Sequence, residues 1–199
     1  GDATVSRTAT VTRKTRETNI TVTLDLDGSG KADLHTGIGF FDHMLDGFAR
    51  HGLFDLTLHC DGDLNVDCHH PIEDCGIPLG TALREALGDK AGIVRYGSCM
   101  LPMDETLALC AVDLGGRPYF VYDASFAGQS CGGMAVQMAR EFFYAVSYSA
   151  MMNLHLKGLY GENDPHKLEA MYKAFAKALS AAARHDDRIV GVLSTKGSI

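Results

Sequence analysis

The 199-residue sequence has no CxxC pair, no surplus of basic charge and no apolar run near the ~18 residues of a membrane-spanning helix. A net charge of −7 argues against nucleic acid or an anionic membrane surface as the main partner. Local basic residues remain free to hold one small anion. The six cysteines (Cys60, Cys68, Cys75, Cys99, Cys110, Cys131) are irregularly spaced, and a chain this long buries a core without disulfides. Reduced thiols and a cytoplasmic location are therefore expected. The stretch GDATVSRTATVTRKTRE lacks an apolar h-region, so no leader is expected, and Gly1 reads as a cloning remnant. With 46% hydrophobic and 22% charged residues, the chain is globular rather than disordered.

Ile20, Val22, Leu24 and Leu26 alternate with polar residues, which predicts a strand with one buried face. DGSG at 27–30 is a turn signal, and KADLHTG reads as the strand returning from it. Phe40, Phe41, Met44, Leu45 and Phe48 follow helical spacing, LFDLTLHC is strand-like, and IPLGTALREAL is helical. The second half follows the same plan. Three strand candidates lie between Gly92 and Ala124, a long helix spans 135–152, NLHLKGL is a strand, and HKLEAMYKAFAKALSAAARH is a helix. AGQSCGG at 127–133 reads as a loop and VLSTKGSI as an irregular tail. No linker separates the halves, so one α+β unit is expected. It is a duplicated strand-rich repeat, about βββαβα twice, with halves at 5–90 and 91–185 and a tail at 186–199.

The two halves align without a gap where HHPIEDCGIPLGTAL (69–83) meets PHKLEAMYKAFAKAL (165–179), so that His70-x-x-Glu73 coincides with His166-x-x-Glu169. Residues three or four apart share a helix face, whereas adjacent ones diverge by about 100°. His69 and Glu73 can converge on one ion while His70 points to another, although Pro71 is expected to delay the helix start to His70. His43, opening a helix in FFDHML, and His155, in the strand NLHL, could complete such sites. Nitrogen and oxygen donors without thiolate suit Mn, Fe, Ni or Zn and argue against a Cys-type structural zinc. The spacing does not choose among those ions.

The motifs TRETNITVTLDLDGSG, TGIGFFDHML, DCHHPIEDCGI, GIVRYGSCMLPMDE, DLGGRPYF, NLHL, HKLEAMYKAFAKAL and STKG resemble those of the imidazoleglycerol-phosphate dehydratase family, from about Arg13 to Gly197. The resemblance implies helices packed between two mostly four-stranded sheets, a cage of twenty-four subunits and metal sites at subunit boundaries. It also implies two Mn2+ ions per active site. One would be held by His69, Glu73, His155 and His166. The other would be held by His43, His70, Glu169 and a histidine at the position where this chain has Pro165. That departure leaves three outcomes open: weaker binding, water in place of the imidazole, or an altered variant. Proline itself suits the head of a helix, with Asp164 expected as the cap.

The same resemblance implies a lyase of histidine biosynthesis that dehydrates imidazoleglycerol phosphate to imidazole acetol phosphate. The proton removed is weakly acidic, so acid–base catalysis worth about 10²–10⁴-fold would not suffice alone. A metal pair that grips the azole ring and a hydroxyl would supply Lewis acidity, and the hydroxyl would depart through a diazafulvene-like intermediate. Glu17 is the candidate acid/base, with Glu169 close enough to contribute. Arg95, Arg117, Lys173, Ser194 and Lys196 match the family's phosphate-binding positions, where arginine offers a planar fork and Ser194 a hydroxyl donor. Taken singly, each is a commonplace exposed charge or, at Ser194, a commonplace hydroxyl. Two other readings compete. A dinuclear metallohydrolase acting on a small phosphate ester would use the clusters to activate water, and a metal-storage protein would leave the basic set unexplained.

Overall fold

The structure, a computed structural model, describes residues 6–62 and 69–199, and for residues 62 and 69–71 the backbone alone. In chain order the elements are β1 (Thr8–Lys14), β2 (Thr18–Asp25), β3 (Ala32–His35), α1 (Gly39–Gly52), β4 (Asp55–Gly62) and α2 (His69–Leu87). There follow β5 (Tyr96–Met103), β6 (Thr106–Asp113), β7 (Tyr119–Asp123), β8 (Ser130–Cys131), β9 (Met134–Ala135), α3 (Val136–Ala150), β10 (Asn153–Tyr160) and α4 (Asp164–Ala183). No described helix is long and apolar enough to cross a membrane.

The duplication is visible in the topology. The first sheet has the order β1-β2-β4-β3 and the second β5-β6-β10-β7, each with antiparallel pairs and one parallel edge strand. Register repeats as well: Asp25 faces Asp55 in the first sheet as Asp113 faces Asn153 in the second. Strand alternation explains the sidedness, because successive side chains point to opposite faces. Ile20, Val22, Leu24, Leu56 and Leu58 are buried on the inner face of one sheet, and Ala108, Cys110, Val112, Leu154 and Leu156 on that of the other.

The helices fill the space between the sheets. α2 lies on β1 and β2, α4 lies on β5 and β6, and the layers meet as α1 against α4 and α2 against α3. Phe41, Phe142, Phe143, Tyr172 and Phe175 are almost fully buried there, with ring centroids 4.6–5.7 Å apart. Each of the phenylalanines contributes roughly 1.5–3 kcal/mol of burial. α1 and α3 also end alike. Leu53 and Met151 adopt left-handed backbone (φ 57° and 55°), and the next N–H groups, of Phe54 and Met152, close back on Ala49 and Ser147 carbonyls.

Four local expectations are corrected. KADLHTG does not return alongside β2, whose two edges are taken by β1 and β4; β3 crosses over and pairs parallel with β4. The Asp55 carboxylate turns that connection by accepting from the N–H groups of Ser29, Gly30 and Lys31 at 2.9, 3.2 and 3.0 Å. α2 starts at His69, ahead of Pro71, because a proline within the first turn gives up an N–H that has no intrahelical acceptor anyway. AGQSCGG is not wholly loop, since β8 and β9 form a short hairpin there. Finally, Asn163 caps α4, its side chain accepting from the His166 N–H at 3.1 Å. Asp164 instead accepts from the N–H groups of Ala127 and Gly128 and ties that loop to the helix.

Candidate metal centre and phosphate cleft

The parallel pair α1/α4 brings together residues 126 positions apart. His43 Nε2 and Glu169 Oε1 are 2.7 Å from each other, the imidazole well exposed and the carboxylate mostly covered. One turn further on, Lys173 passes beside Gly47, and its charge, with that of Lys177, helps to push the His51 pKa down, second to burial of that ring. Lys173 thus stands next to the His43–Glu169 pair. Within one chain it is not part of the cleft formed by the other basic residues.

His166, one turn before Glu169 on α4, is oriented by a carboxylate that the sequence reading overlooked. Its Nδ1 lies 2.5 Å from Glu105 Oε1, at the tip of the β5–β6 hairpin. The other Glu105 oxygen accepts from the Thr106 hydroxyl and from the Glu162 N–H. The Thr106 hydroxyl and then the imidazole hold the Glu105 pKa down, to about 2. With Nδ1 engaged, Nε2 is the nitrogen left to serve as a ligand. A signal for Glu105 was present: Glu105-Thr106 occupies the same place in the second repeat as Glu17-Thr18 in the first, each pair leading into an eight-residue strand.

Glu17 sits at the exposed tip of the β1–β2 hairpin, its N–H donating to Thr15 Oγ1. Glu73 is exposed on α2, and its neighbour Asp74 is held by the Thr18 hydroxyl and faces Arg13 at 3.6 Å. The side chains of His69 and His70 lie outside the described residues, as does Cys68; the backbone places both histidines on the first turn of α2.

His155 takes a separate position. It points to the outer face of the second sheet, its neighbours in register being Ala111 and Val121, and its Nε2 lies 3.0 Å from Asn153 Oδ1. Ala111 is six residues from Glu105 along β6, a distance of about 20 Å at strand rise. His155 and His166 of one chain therefore cannot share an ion.

Arg95, Arg117, Ser194 and Lys196 line one cleft of about 850 Å³ between the β6–β7 turn and the C-terminal tail. Arg95 is held in left-handed backbone (φ 78°), its guanidinium forked onto Asp113 at 2.7 and 3.3 Å, and that carboxylate raises its pKa. A third Arg95 N–H donates to the Leu193 carbonyl and anchors the tail. A Cβ at Gly115 would lie 2.5 Å from the Arg95 guanidinium, so a larger residue there would displace that side chain from its present position. Arg188 also lines the cleft, with its charge already engaged by Asp186. The cleft thus holds three arginines, of which Arg95 and Arg188 are each paired with an aspartate, together with Lys196 and the hydroxyls of Ser194, Thr195 and Ser198, a composition suited to a phosphate.

Comparisons with known proteins agree on one family. The family model described as imidazoleglycerol-phosphate dehydratase matches residues 36–179. A protein of that name from Lachnoclostridium phytofermentans is 58% identical over 195 residues, covering 98% of this chain and all of the relative. Among solved structures, the imidazoleglycerol-phosphate dehydratase of Staphylococcus aureus superposes with a TM-score of 0.81 at 35% identity, covering 90% of this chain and 99% of that one. The enzyme from Pyrococcus furiosus in complex with (S)-C348 gives 0.81 at 34% identity, covering 95% and 100%.

Proposed function

The chain belongs to the imidazoleglycerol-phosphate dehydratase family, and from that premise we propose how its residues divide the work. The activity is that of a hydro-lyase of histidine biosynthesis, which removes water from imidazoleglycerol phosphate to give imidazole acetol phosphate. The observation that carries the assignment of residues is the 2.7 Å approach of His43 to Glu169, two helix starts from opposite halves of the duplication.

The donors gathered at α1 and α4 are imidazole nitrogens and carboxylate oxygens, a set that suits a divalent ion of the manganese class. His43, His70 and Glu169 would hold one Mn2+, and His69, Glu73, His155 and His166 the other. Pro165 leaves the first of these sites one imidazole short. When bound, the ions supply Lewis acidity and a template for the azole ring. Glu105 fixes the ring of His166, and Glu17 moves the proton between the glycerol carbon and the enol that becomes the ketone. Arg95, Arg117, Ser194 and Lys196 hold the phosphate, with Lys173 delivering its charge from α4. Because His155 faces away from α4, one site has to draw on more than one chain. In this reading the chain works as a homo-oligomer of twenty-four subunits in the cytoplasm.

The test is to supply imidazoleglycerol phosphate to metal-stripped protein, with and without added Mn2+. Imidazole acetol phosphate should form in the Mn2+ arm and fall more than about 100-fold in His43→Ala, a larger loss than removal of an outer partner typically causes. Release of inorganic phosphate in place of the ketone would support the metallohydrolase reading.

A further inference from the structure

Away from these residues, the outer face of the first sheet carries a cluster to which the reading above assigns no role. His35 and His59 are direct register partners on the parallel strands β3 and β4, and Asp33 precedes His35 by two, on the same face. Asp33 Oδ1 lies 3.3 Å from His35 Nε2 and 3.1 Å from His59 Nε2. One donor atom from each of the three residues lies within 4.8 Å of the others, and the two rings stand edge to face with centroids 4.8 Å apart.

Two further observations separate this cluster from ordinary surface polarity. Although its ring is partly exposed, His59 Nε2 is covered and has no hydrogen-bond partner among the described residues, so the nearby carboxylate does not satisfy it. A covered, unsatisfied nitrogen calls for a partner that the protein itself does not supply. In addition, the sister sheet does not repeat the cluster. Aligned through the parallel edge pairs, Asp33, His35 and His59 correspond to Val121, Asp123 and Lys157, where Lys157 and Asp123 form a plain ion pair at 3.7 Å.

We propose that Asp33, His35 and His59 form a third cation site, for a zinc-type divalent ion. Two imidazole nitrogens and one carboxylate oxygen form a ligand set of the kind that leaves a fourth tetrahedral position to water. With bonds of about 2.0–2.1 Å, ligand atoms on a tetrahedron are about 3.3–3.4 Å apart; the two distances to Asp33, 3.1 and 3.3 Å, match this, and the two imidazole nitrogens lie within 4.8 Å of each other. The ion pins the four-residue edge strand β3 to β4, directly ahead of the turn that leads into α1 and His43. The site is independent of the manganese ligands proposed above.

The experiment equilibrates the Mn2+-saturated full chain with micromolar free Zn2+ and counts zinc per chain in the native protein, in Asp33→Asn and in His59→Gln. The native protein should hold one more zinc per chain than either variant. A zinc-edge anomalous map should place a peak among the three side chains, with dehydratase turnover unchanged in both variants. Equal zinc in all three proteins, a peak only elsewhere, or binding that needs millimolar zinc would overturn the proposal. Asp33→Asn keeps the shape of the side chain, so a loss of zinc there is not a folding effect.

Discussion

The two sheets are copies in topology and register, yet their outer faces have diverged. Across the first sheet run the rows Thr10–Thr23–Thr57–Asp33 and Thr12–Thr21–His59–His35, a polar surface in which even neighbouring threonines bond to each other. Across the second run Ser98–Ala111–His155–Val121 and Met100–Leu109–Lys157–Asp123, with Tyr96 and Tyr119 exposed at the end of the sheet. The inner faces stayed apolar in both copies because both serve one helix layer. Only the outer faces were free to specialise. Tyr96 and Met100 are exposed on one edge strand of that sheet and Tyr119 and Val121 on the other, large apolar side chains of the kind that association covers. The presence of His155 within that face makes association a condition of catalysis in the reading above.

The strongest way to break this contrast is to charge equivalent positions. Met100 and Thr12 hold the same place in the two repeats, each directly opposite a half-buried residue of the neighbouring strand, Leu109 and Thr21. Met100→Glu should convert the assembly into smaller particles and abolish turnover, because an unpaired carboxylate would be trapped in an apolar contact. Thr12→Glu, on the polar copy, should leave particle size and turnover intact. Analytical ultracentrifugation with the product assay reads both. Equal behaviour of the two variants would show that the outer faces differ in composition but not in use.

The hairpin tips sharpen the same comparison at smaller scale. Glu17 and Glu105 head equivalent strands, but Glu105 is committed to His166 while Glu17 is left exposed. If the duplication separated a proton carrier from a positioning residue, the two glutamines should fail differently. Glu105→Gln should weaken Mn2+ binding by about 10–100-fold, the usual effect of losing the carboxylate behind a ligating histidine. Glu17→Gln should lower kcat at full Mn2+ occupancy. Metal titration beside steady-state kinetics separates the two losses.

Most of the fold was legible in the sequence because its signals are local. Alternation at Ile20, Val22 and Leu24 and helical spacing at Phe41, Met44, Leu45 and Phe48 lead directly to the buried faces observed. What sequence reading missed depended on contacts between distant residues. The partner of β3 is decided by Asp55 gathering three N–H groups from the preceding turn, 24 to 26 residues away. Glu105 acquires its place only when the β5–β6 tip folds over the start of α4. Among the candidate site residues, spacing marked His166 and Glu169 as neighbours on α4, and folding brings His43, named from its own motif, against Glu169. The outward orientation of His155 follows from its alternation with buried Leu154 and Leu156, but its separation from α4 appears only when the sheet is folded.

The helix layer offers the finest test, because its two parallel pairs solve the same packing problem in different ways. In α2/α3 the backbones approach closely: a Cβ on Gly80 would lie 2.6 Å from the Val146 carbonyl and 2.7 Å from Ser149 Cβ. In α1/α4 the helices stand further apart over Phe48 and Phe175, and a Cβ on Gly47 would meet only Lys173 atoms at 3.9 and 4.0 Å. Gly80→Ala therefore forces helix backbone to shift and should cost about 1–3 kcal/mol. Gly47→Ala replaces a flexible residue in a helix interior without a clash and should stabilise by up to about 1 kcal/mol. At about 2–4 °C per kcal/mol, the two thermal midpoints should move in opposite directions from that of the native protein. A fall of equal size in both would mean that the wide pair is as tightly packed as the close one, and that the copies differ in their outer faces alone.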